Sequence, residues 1–391
     1  MLNKKVLMAE FSDIRYDARV LKQANTLAKA GYFVRLVMYN SSISKLKKTT
    51  SNNIEKVEIP FMKRYSTKTK FDRLIRTLSF FNIFIQYFFR LVFQKADYYH
   101  AHNYFIGWIL YLGAFIHGGK FIYDCHEIIW AEKESYHKIG GYIEKFLLPK
   151  ASLAICPSFD RARLIKDHYH LVKTILPLYN YPGVERRKKA KPNILKNELG
   201  VSQNTKILLY TGMLSVKTRL QDNIIKALSR IPDNIIFAMI GYGHPDEISF
   251  LYEIANQYST KDKVFVLPPK PYMHLKRYIE CADIGVSLLK DNGLAYRYHA
   301  LNKFYDYVSG GIAVLASNFP TFRNEILNNP IGPIGCVCDE KDPDSIYKNI
   351  QYILEDENRL ASFKSNSRKL HKNYWNWERQ AKTLLDSYKN M

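Results

Sequence analysis

The sequence predicts an α/β protein made of two doubly wound, mostly parallel-sheet domains that face each other across a cleft. Three observations carry that expectation. A chain of 391 residues is too long for one ordinary core and suits two. Short apolar strands alternate with amphipathic helices through both halves, as a parallel sheet with helices on both faces requires. Between the halves, Pro182-Gly183 leads into ERRKKAKPN, which is charged, holds a proline and lacks apolar periodicity. The expected divisions are residues 1–183, a linker at 184–198, and residues 199–374.

In the first half, Lys5 to Ala9 reads as a strand, and Ala18 to Ala30 sets Val20, Leu21, Ala24, Leu27 and Ala28 at helical spacing. Gly31 stops that helix. Strands follow at Phe33 to Met38 and Lys56 to Ile59, then a helix at Ile83 to Phe93 and a strand at Asp97 to Ala101. Phe105 to Phe115 is a helix closed by Gly118-Gly119, and Lys120 to Tyr123, Leu153 to Pro157 and Lys173 to Leu178 are strands. The second half repeats the rhythm with strands at Lys206 to Tyr210, Ile235 to Ile240, Val264 to Val266, Ile284 to Leu288 and Ala313 to Ala316. Trp375 to Tyr388 closes the chain as an amphipathic helix.

Composition narrows the function classes. Hydrophobic residues are 47% and charged residues 24%, the profile of a folded soluble chain. Cys125, Cys156, Cys281, Cys336 and Cys338 form no C-x-x-C pair and read as small apolar residues in a reducing, cytoplasmic compartment. No Cys/His group has ligand spacing, so no metal is expected. The N-terminus reads as a strand and not as a signal peptide. No stretch reaches the roughly 18 uncharged apolar residues of a membrane span; Leu78 to Val92 comes nearest, interrupted by Gln86 and Arg90. The formal net charge is +22. Residues 1–183 carry 28 Lys/Arg against 14 Asp/Glu, a difference of 14. Lys45, Lys47, Lys48, Lys56, Lys63, Arg64, Lys68 and Lys70 concentrate that charge just before an aromatic stretch from Phe71. This pattern suits the anionic inner face of a membrane, on which the protein would lie peripherally. A solvated basic surface is the plain alternative, and no nucleic-acid partner is expected.

The second half holds the stronger chemical signals. In YTGML, Gly212 ends a strand, where a bare backbone can approach a ligand, and Lys217 and Arg219 lie in the following loop, where they could clamp a diphosphate. In IGYGH, Gly241 and Gly243 stand at another strand end. Leu294 to Pro320 is the most informative stretch: a loop rich in Tyr and Arg enters a helix near Leu301. Asn302, Lys303 and Asp306 fall in its early turns, with Lys303 and the helix N-terminus suited to phosphate and Asp306 on nearly the same face, suited to ribose hydroxyls. In the first half, His100 and His102 (DYYHAHN) and His126 (YDCHE) stand at strand ends, the functional edge of an open parallel sheet. His126 is expected to act, while His102 shapes the wall. Asp17 and Arg19 open the first helix as a cap and a packing partner.

Nine pieces in order and at these spacings resemble a retaining glycosyltransferase of family 4: DARVLKQANTLAKAGYFV, DYYHAHN, KFIYDCHE, LYNYP, YTGML, IGYGH, CADIGVSLL, YRYHALNKFYDYVSGGIAVLASNFP and WNWERQAKTLLDSY. The resemblance covers nearly the whole chain and implies the GT-B fold, two Rossmann-like domains. It implies a nucleotide-sugar donor on the C-terminal domain and a hydroxyl acceptor. Gly212 would border the diphosphate, with Lys217 or Arg219 as the basic residue beside it, and Lys303 would be a second cation. Asp306 would hold the ribose, and Leu267 to Tyr272, including Pro271, would meet the base with Gly241 and Gly243 near the nucleotide. Tyr298, Ala300, Leu301 and Asn302 would line the donor sugar, which His126 would face. His102, Asp17 and Arg19 would lie on the acceptor side, and residues 375–391 would pack back on the first domain. Two departures stand out. The family's paired glutamates are Tyr298 and Asp306 here, and EFSDIRYD replaces a Gly-rich first loop.

The reaction so implied is sugar transfer with retention, without a metal or other cofactor. Its acceptor is expected to be a lipid-linked or other glycan in surface polysaccharide assembly. Cations and helix N–H groups would stabilise the departing diphosphate, and domain closure would limit hydrolysis. A sugar-nucleotide epimerase on the same plan is one rival, although acidic catalytic residues are not evident in the first half. A non-catalytic protein that docks on membranes is another.

Overall fold

The computed structural model describes residues 4–15, 17–61, 70–131, 135–184 and 193–391. Lys63, Arg64 and Lys68 of the basic concentration and residues 185–192 of the expected linker lie outside them. Two compact units result: Met1–Asn180 with Gln380–Met391, and Tyr181–Arg379.

The first unit contains β1 (Lys5–Asp13), α1 (Ala18–Lys29), β2 (Phe33–Asn40), β3 (Lys47–Ser51), β4 (Ile54–Pro60), α2 (Lys70–Val92) and β5 (Tyr98–Ala101). It continues through α3 (Tyr104–His117), β6 (Lys120–Asp124), α4 (Ser135–Leu147), β7 (Leu153–Cys156), α5 (Phe159–His168) and β8 (Leu176–Pro177). Its sheet runs β3-β4-β2-β1-β5-β6-β7-β8, parallel except for β3. The direction of winding therefore reverses between β1 and β5, the point where a crevice opens at the strands' carboxyl ends. Leu7, Ala9, Tyr99, Ala101 and Tyr123 project from one sheet face into a core shared with α2, α3 and α4. Asp17 caps α1 by accepting from Val20 N, and Asn103 caps α3 by accepting from Ile106 N.

The second unit contains α6 (Ile194–Leu199), β9 (Lys206–Met213), α7 (Val216–Arg219), α8 (Gln221–Leu228), β10 (Ile235–Tyr242), α9 (Pro245–Gln257) and β11 (Val264–Leu267). After these come α10 (Tyr272–Ile279), β12 (Ile284–Ser287), α11 (Leu294–Arg297), α12 (Asn302–Gly310), β13 (Ala313–Ser317), α13 (Pro320–Leu327) and β14 (Gly335–Cys338). Helices α14 (Pro343–Leu354), α15 (Glu357–Asn373) and α16 (Trp377–Lys389) complete the chain. The sheet order is β11-β10-β9-β12-β13-β14, all parallel, and winding reverses between β9 and β12. The chain returns to the first unit within α16: Tyr388 is buried there, and its hydroxyl lies 2.7 Å from His100 Nδ1.

Several elements differ from expectation. β1 does not stop at Ala9 but continues to Asp13 through a register shift, so EFSD belongs to a strand and not to a loop. β3 was not expected, because KKTTS is polar and exposed throughout. It forms a hairpin with β4 through Asn52 and Asn53, whose φ values of 49° and 62° suit a two-residue turn. α2 begins thirteen residues before Ile83, at Lys70. β8 is only Leu176–Pro177, and β14 was not anticipated. Lys217 and Arg219 do not lie in an open loop: they sit on the four-residue α7, separated from α8 by Leu220 at φ 53°.

Candidate functional site

In the second unit, the tips of β9 and β10 are in direct register, with Gly212 opposite Gly241. A Cβ on Gly241 would fall 1.7 Å from the Gly212 carbonyl oxygen, so only glycine lets these strand ends close up. Gly212 itself has φ 117°, and a Cβ there would lie 3.8 Å from Lys303 Nζ. Gly243 packs against Leu214, and Tyr210 and Tyr307 brace the same tip, Tyr307 Oη accepting from Thr211 N at 2.9 Å.

Lys303 lies in the first turn of α12, with Nζ 3.8 Å from the centre of the Tyr210 ring. Burial and the like charge of Arg219 hold its pKa well below the ordinary lysine value. Arg219 Nε is buried without a hydrogen-bond partner among the described residues, and so is Thr218 Oγ1. Two cations therefore converge beside a bare glycine backbone, next to unused donors. Of the two basic residues named from the sequence, Arg219 joins Lys303, whereas Lys217 points to solvent. Asp306 lies one turn further along α12 and accepts from Tyr272 Oη at 2.9 Å, which brings the start of α10, capped by Pro271, next to it. Asn302 is exposed at the start of α12; Tyr298, Ala300 and Leu301 are partly exposed on the segment leading into it. The sequence assigned no role to Tyr210 and named Tyr272 only as the end of the expected base segment. Tyrosines flanking the strand-end glycine and the expected base segment were the available signal.

In the first unit, Glu10 follows the last β1 residue paired with β5, His102 follows β5, Asp124 ends β6 and His126 lies two residues beyond it. Asp124 is fully buried and binds Arg19 through two bonds, Nε to Oδ2 at 2.9 Å and Nη2 to Oδ1 at 2.8 Å. Gln23 donates to Oδ2 at 2.7 Å, and Arg19 Nη1 donates to the Leu178 carbonyl. His102 Nδ1 lies 3.3 Å from Asp124 Oδ2 and 3.2 Å from His126 Nε2. His126 Nδ1 stands 3.9 Å from Glu10 Oε2, while Asn103 donates to the other Glu10 oxygen. Arg161 donates to the His126 carbonyl at 2.7 Å and fixes its backbone. His126 is 22% exposed whereas His102 and Asp124 are 0% exposed, so the imidazole carries this buried network to the surface.

The electrostatics follow from that burial. Burial raises the Glu10 carboxyl to about 8 against the pull of the His126 charge. For His126, burial opposes the charged form, but the Asp124 charge and hydrogen bond together with Glu10 push it up to about 9. His126 is therefore an imidazolium donor at neutral pH. Asp17 accepts from Ser12 as well as capping α1, and Arg19 is the partner of a buried carboxylate.

No metal-binding spacing was visible in the sequence, yet among the described residues the fold assembles two groups with ligand atoms within 4.8 Å of one another: Glu10, His102 and His126, and His100, His102 and Asp124. The ligands come from three different strand tips, which no local spacing can reveal. In the second group, Asp124 is already held by Arg19. Glu10 and Asp124 were likewise missed as site residues, although each is the acid at a strand end.

Comparisons with known proteins agree with this architecture. Residues 18–180 match the family described as Glycosyltransferase Family 4, and residues 193–370 match Glycosyl transferases group 1. No curated protein matches the sequence. Among solved structures, sucrose-phosphate synthase from Thermosynechococcus elongatus is similar at TM-score 0.74 and 14% identity, over 99% of this chain and 98% of the other. The Anabaena protein HepE, solved with UDP-glucose, is similar at TM-score 0.73 and 14% identity, over 99% and 100%. WaaG, a glycosyltransferase involved in lipopolysaccharide biosynthesis, is similar at TM-score 0.64 and 14% identity, over 97% and 98%. At these identities the likeness speaks for the fold. Two parallel-sheet units of this topology, each matched by a glycosyltransferase family along most of its length, make this chain a GT-B glycosyltransferase of the family 4 type.

Proposed function

We propose that the protein moves a sugar from a nucleoside-diphosphate sugar to a hydroxyl of a lipid-linked or other glycan acceptor, with retention of configuration, in surface polysaccharide assembly. The observation that carries the reading is the pair Lys303 and Arg219, two cations set beside Gly212 with unused donors and, among the described residues, no carboxylate acting on Lys303. In the reaction the bond from the anomeric carbon to the diphosphate breaks, the acceptor oxygen bonds to that carbon, and the acceptor hydroxyl's proton passes to the departing diphosphate. Negative charge grows on the departing diphosphate, and preorganised cations stabilise it where it develops. Asp306 accepts the ribose hydroxyls in place of Tyr272, and the α10 start meets the base. His126, charged at neutral pH, donates to a sugar hydroxyl. A UDP donor is supported by HepE, solved with UDP-glucose, and a lipid-linked acceptor by the lipopolysaccharide role given for WaaG.

The test is a time course with a panel of nucleotide-sugars and lipid-linked acceptors, comparing wild type with His126→Ala and Lys303→Ala. Removing one such donor costs on the order of 100- to 1,000-fold in turnover, with the melting temperature showing that the fold persists. Wild-type turnover in both variants, or isomerised donor without transfer, would overturn the reading.

A further inference from the structure

The outer surface of α2, α3 and α4 is an unpartnered apolar face. All three helices bury their inner sides against the same face of the first sheet, so their outer sides look the same way. On α2, Leu78, Phe81 and Phe89 are 58%, 62% and 58% exposed. On α3, Phe115 is 75% exposed in the last turn, and on α4, Tyr142 and Phe146 are 77% and 51% exposed. Ring contacts join the helices into one surface: Phe88 to Trp108 at 6.2 Å links α2 with α3, and Tyr111 to Phe146 at 5.7 Å links α3 with α4. A monomer rarely leaves so many large apolar groups side by side in water.

Charge decides what covers this face. The three helices hold only two acids, Asp72 in the first turn of α2 and Glu144 on α4. Glu144 is fully buried and accepts from the Tyr123 and Tyr169 hydroxyls at 3.0 and 3.1 Å, so it does not reach the surface. Lys145 and Lys150 are exposed beside the aromatic groups, Lys150 Nζ standing 3.8 Å from the centre of the Phe146 ring. A second copy of the chain on this face would set like charges together, whereas an anionic bilayer answers both the cations and the aromatic side chains. Among the described residues no helix is long and apolar enough to cross a membrane, so the contact is with the bilayer's surface.

We infer that the α2–α3–α4 face docks on an anionic lipid bilayer, with Phe81, Phe89 and Phe115 entering the interface and Lys145 and Lys150 meeting lipid headgroups. The aromatic stretch from Phe71 that the sequence singled out supplies α2 of this face, whereas the cations are Lys145 and Lys150 and not the basic run before it. The inference depends on the transferase reading only in that it places the acceptor in the same membrane.

The experiment is co-sedimentation of the full chain, without donor or acceptor, with phosphatidylcholine vesicles that contain or lack phosphatidylglycerol, at low and high salt. The wild type is expected to pellet with the anionic vesicles and to be released by salt. The pair Phe81→Glu with Phe89→Glu, at positions more than half exposed, is expected to lower partitioning at least ten-fold at unchanged melting temperature. Lys145→Glu with Lys150→Glu is expected to lower it by about 25-fold or more, since each basic group contributes about five-fold near such a surface and the substitution also adds repulsion. A wild type that stays in the supernatant with anionic vesicles overturns the inference, as does wild-type partitioning in both variants. A wild-type dimer that the Phe81/Phe89 variant converts to monomer assigns the face to a second copy instead. Transfer to a soluble acceptor is measured separately, so failure of docking and failure of the transferase reading are told apart.

Discussion

Replacing Lys303 with methionine separates what the pocket needs for binding from what the fold needs for stability. The ammonium stands 3.8 Å from the Tyr210 ring centre, largely out of water, with Arg219 as its charged neighbour. Methionine keeps an unbranched side chain of similar bulk and removes the charge. The lost cation–π contact is worth about 0.5–2 kcal/mol. Relief from burying a charge without a counter-ion is worth several kcal/mol, so the ligand-free protein should gain on the order of 1–3 kcal/mol. Each kcal/mol corresponds to roughly 2–4 °C in a unit of about 150–250 residues. Binding should move the other way, because a charge-assisted bond to phosphate contributes about 1.5–3 kcal/mol, or about ten- to hundred-fold in Kd. The lowered pKa adds a pH signature. The folded state holds this proton less firmly than the unfolded chain, so the wild type should gain stability from this group as pH rises towards about 10.4. The variant should lose that rise. Calorimetry of both proteins across pH, with pyrophosphate and a panel of nucleoside diphosphates as ligands, reads all three effects. A ligand-free variant that melts below the wild type, or one that binds pyrophosphate as tightly, would refute the reasoning.

Three further outcomes are expected. Arg19→Met should cost about 3–5 kcal/mol in denaturant unfolding, because it strands the buried Asp124 carboxylate; a smaller loss would mean that Gln23 and His102 suffice. Asp306→Ala should weaken nucleoside-diphosphate binding several-fold in titration calorimetry and leave pyrophosphate binding unchanged, since the carboxylate is assigned to the ribose alone. For Glu10, at about 8 when folded, and His126, at about 9, the folded state retains protons that the unfolded chain releases nearer pH 4.5 and 6.5. Both contributions are therefore fully present at low pH and fade as pH rises through 8–9. Glu10→Gln should flatten the fall in melting temperature between neutral pH and pH 9, and an unchanged slope would exclude Glu10 as its source.

Much of this was legible because parallel strands buried on both faces read as apolar runs: Ile235 to Ile240 is buried at every residue. The failures have physical causes. β3 offers only exposed polar residues, and its one signal was the Asn52-Asn53 pair. In the second unit Lys303 and Asp306 share the early turns of one helix, so spacing alone could put them forward together. The first unit's network joins residues from distant segments: Arg19 meets Asp124 across 105 positions, and His100 meets Tyr388 across 288. No local pattern encodes such partners, and Asp124 was passed over although it stands two residues before the histidine that was singled out.

The chain's return within α16 orders its own synthesis. Gln380–Met391 belongs with the first unit, and Tyr388 fills a fully buried place there against Tyr32 and Tyr98. The ribosome thus makes everything the second unit contains before the last piece of the first. The half begun first is therefore the one completed last, its large aromatic plug following the whole of the other half. A stalled or clipped product lacking those final residues would leave that pocket beneath His100 open, a lesion a protease could read.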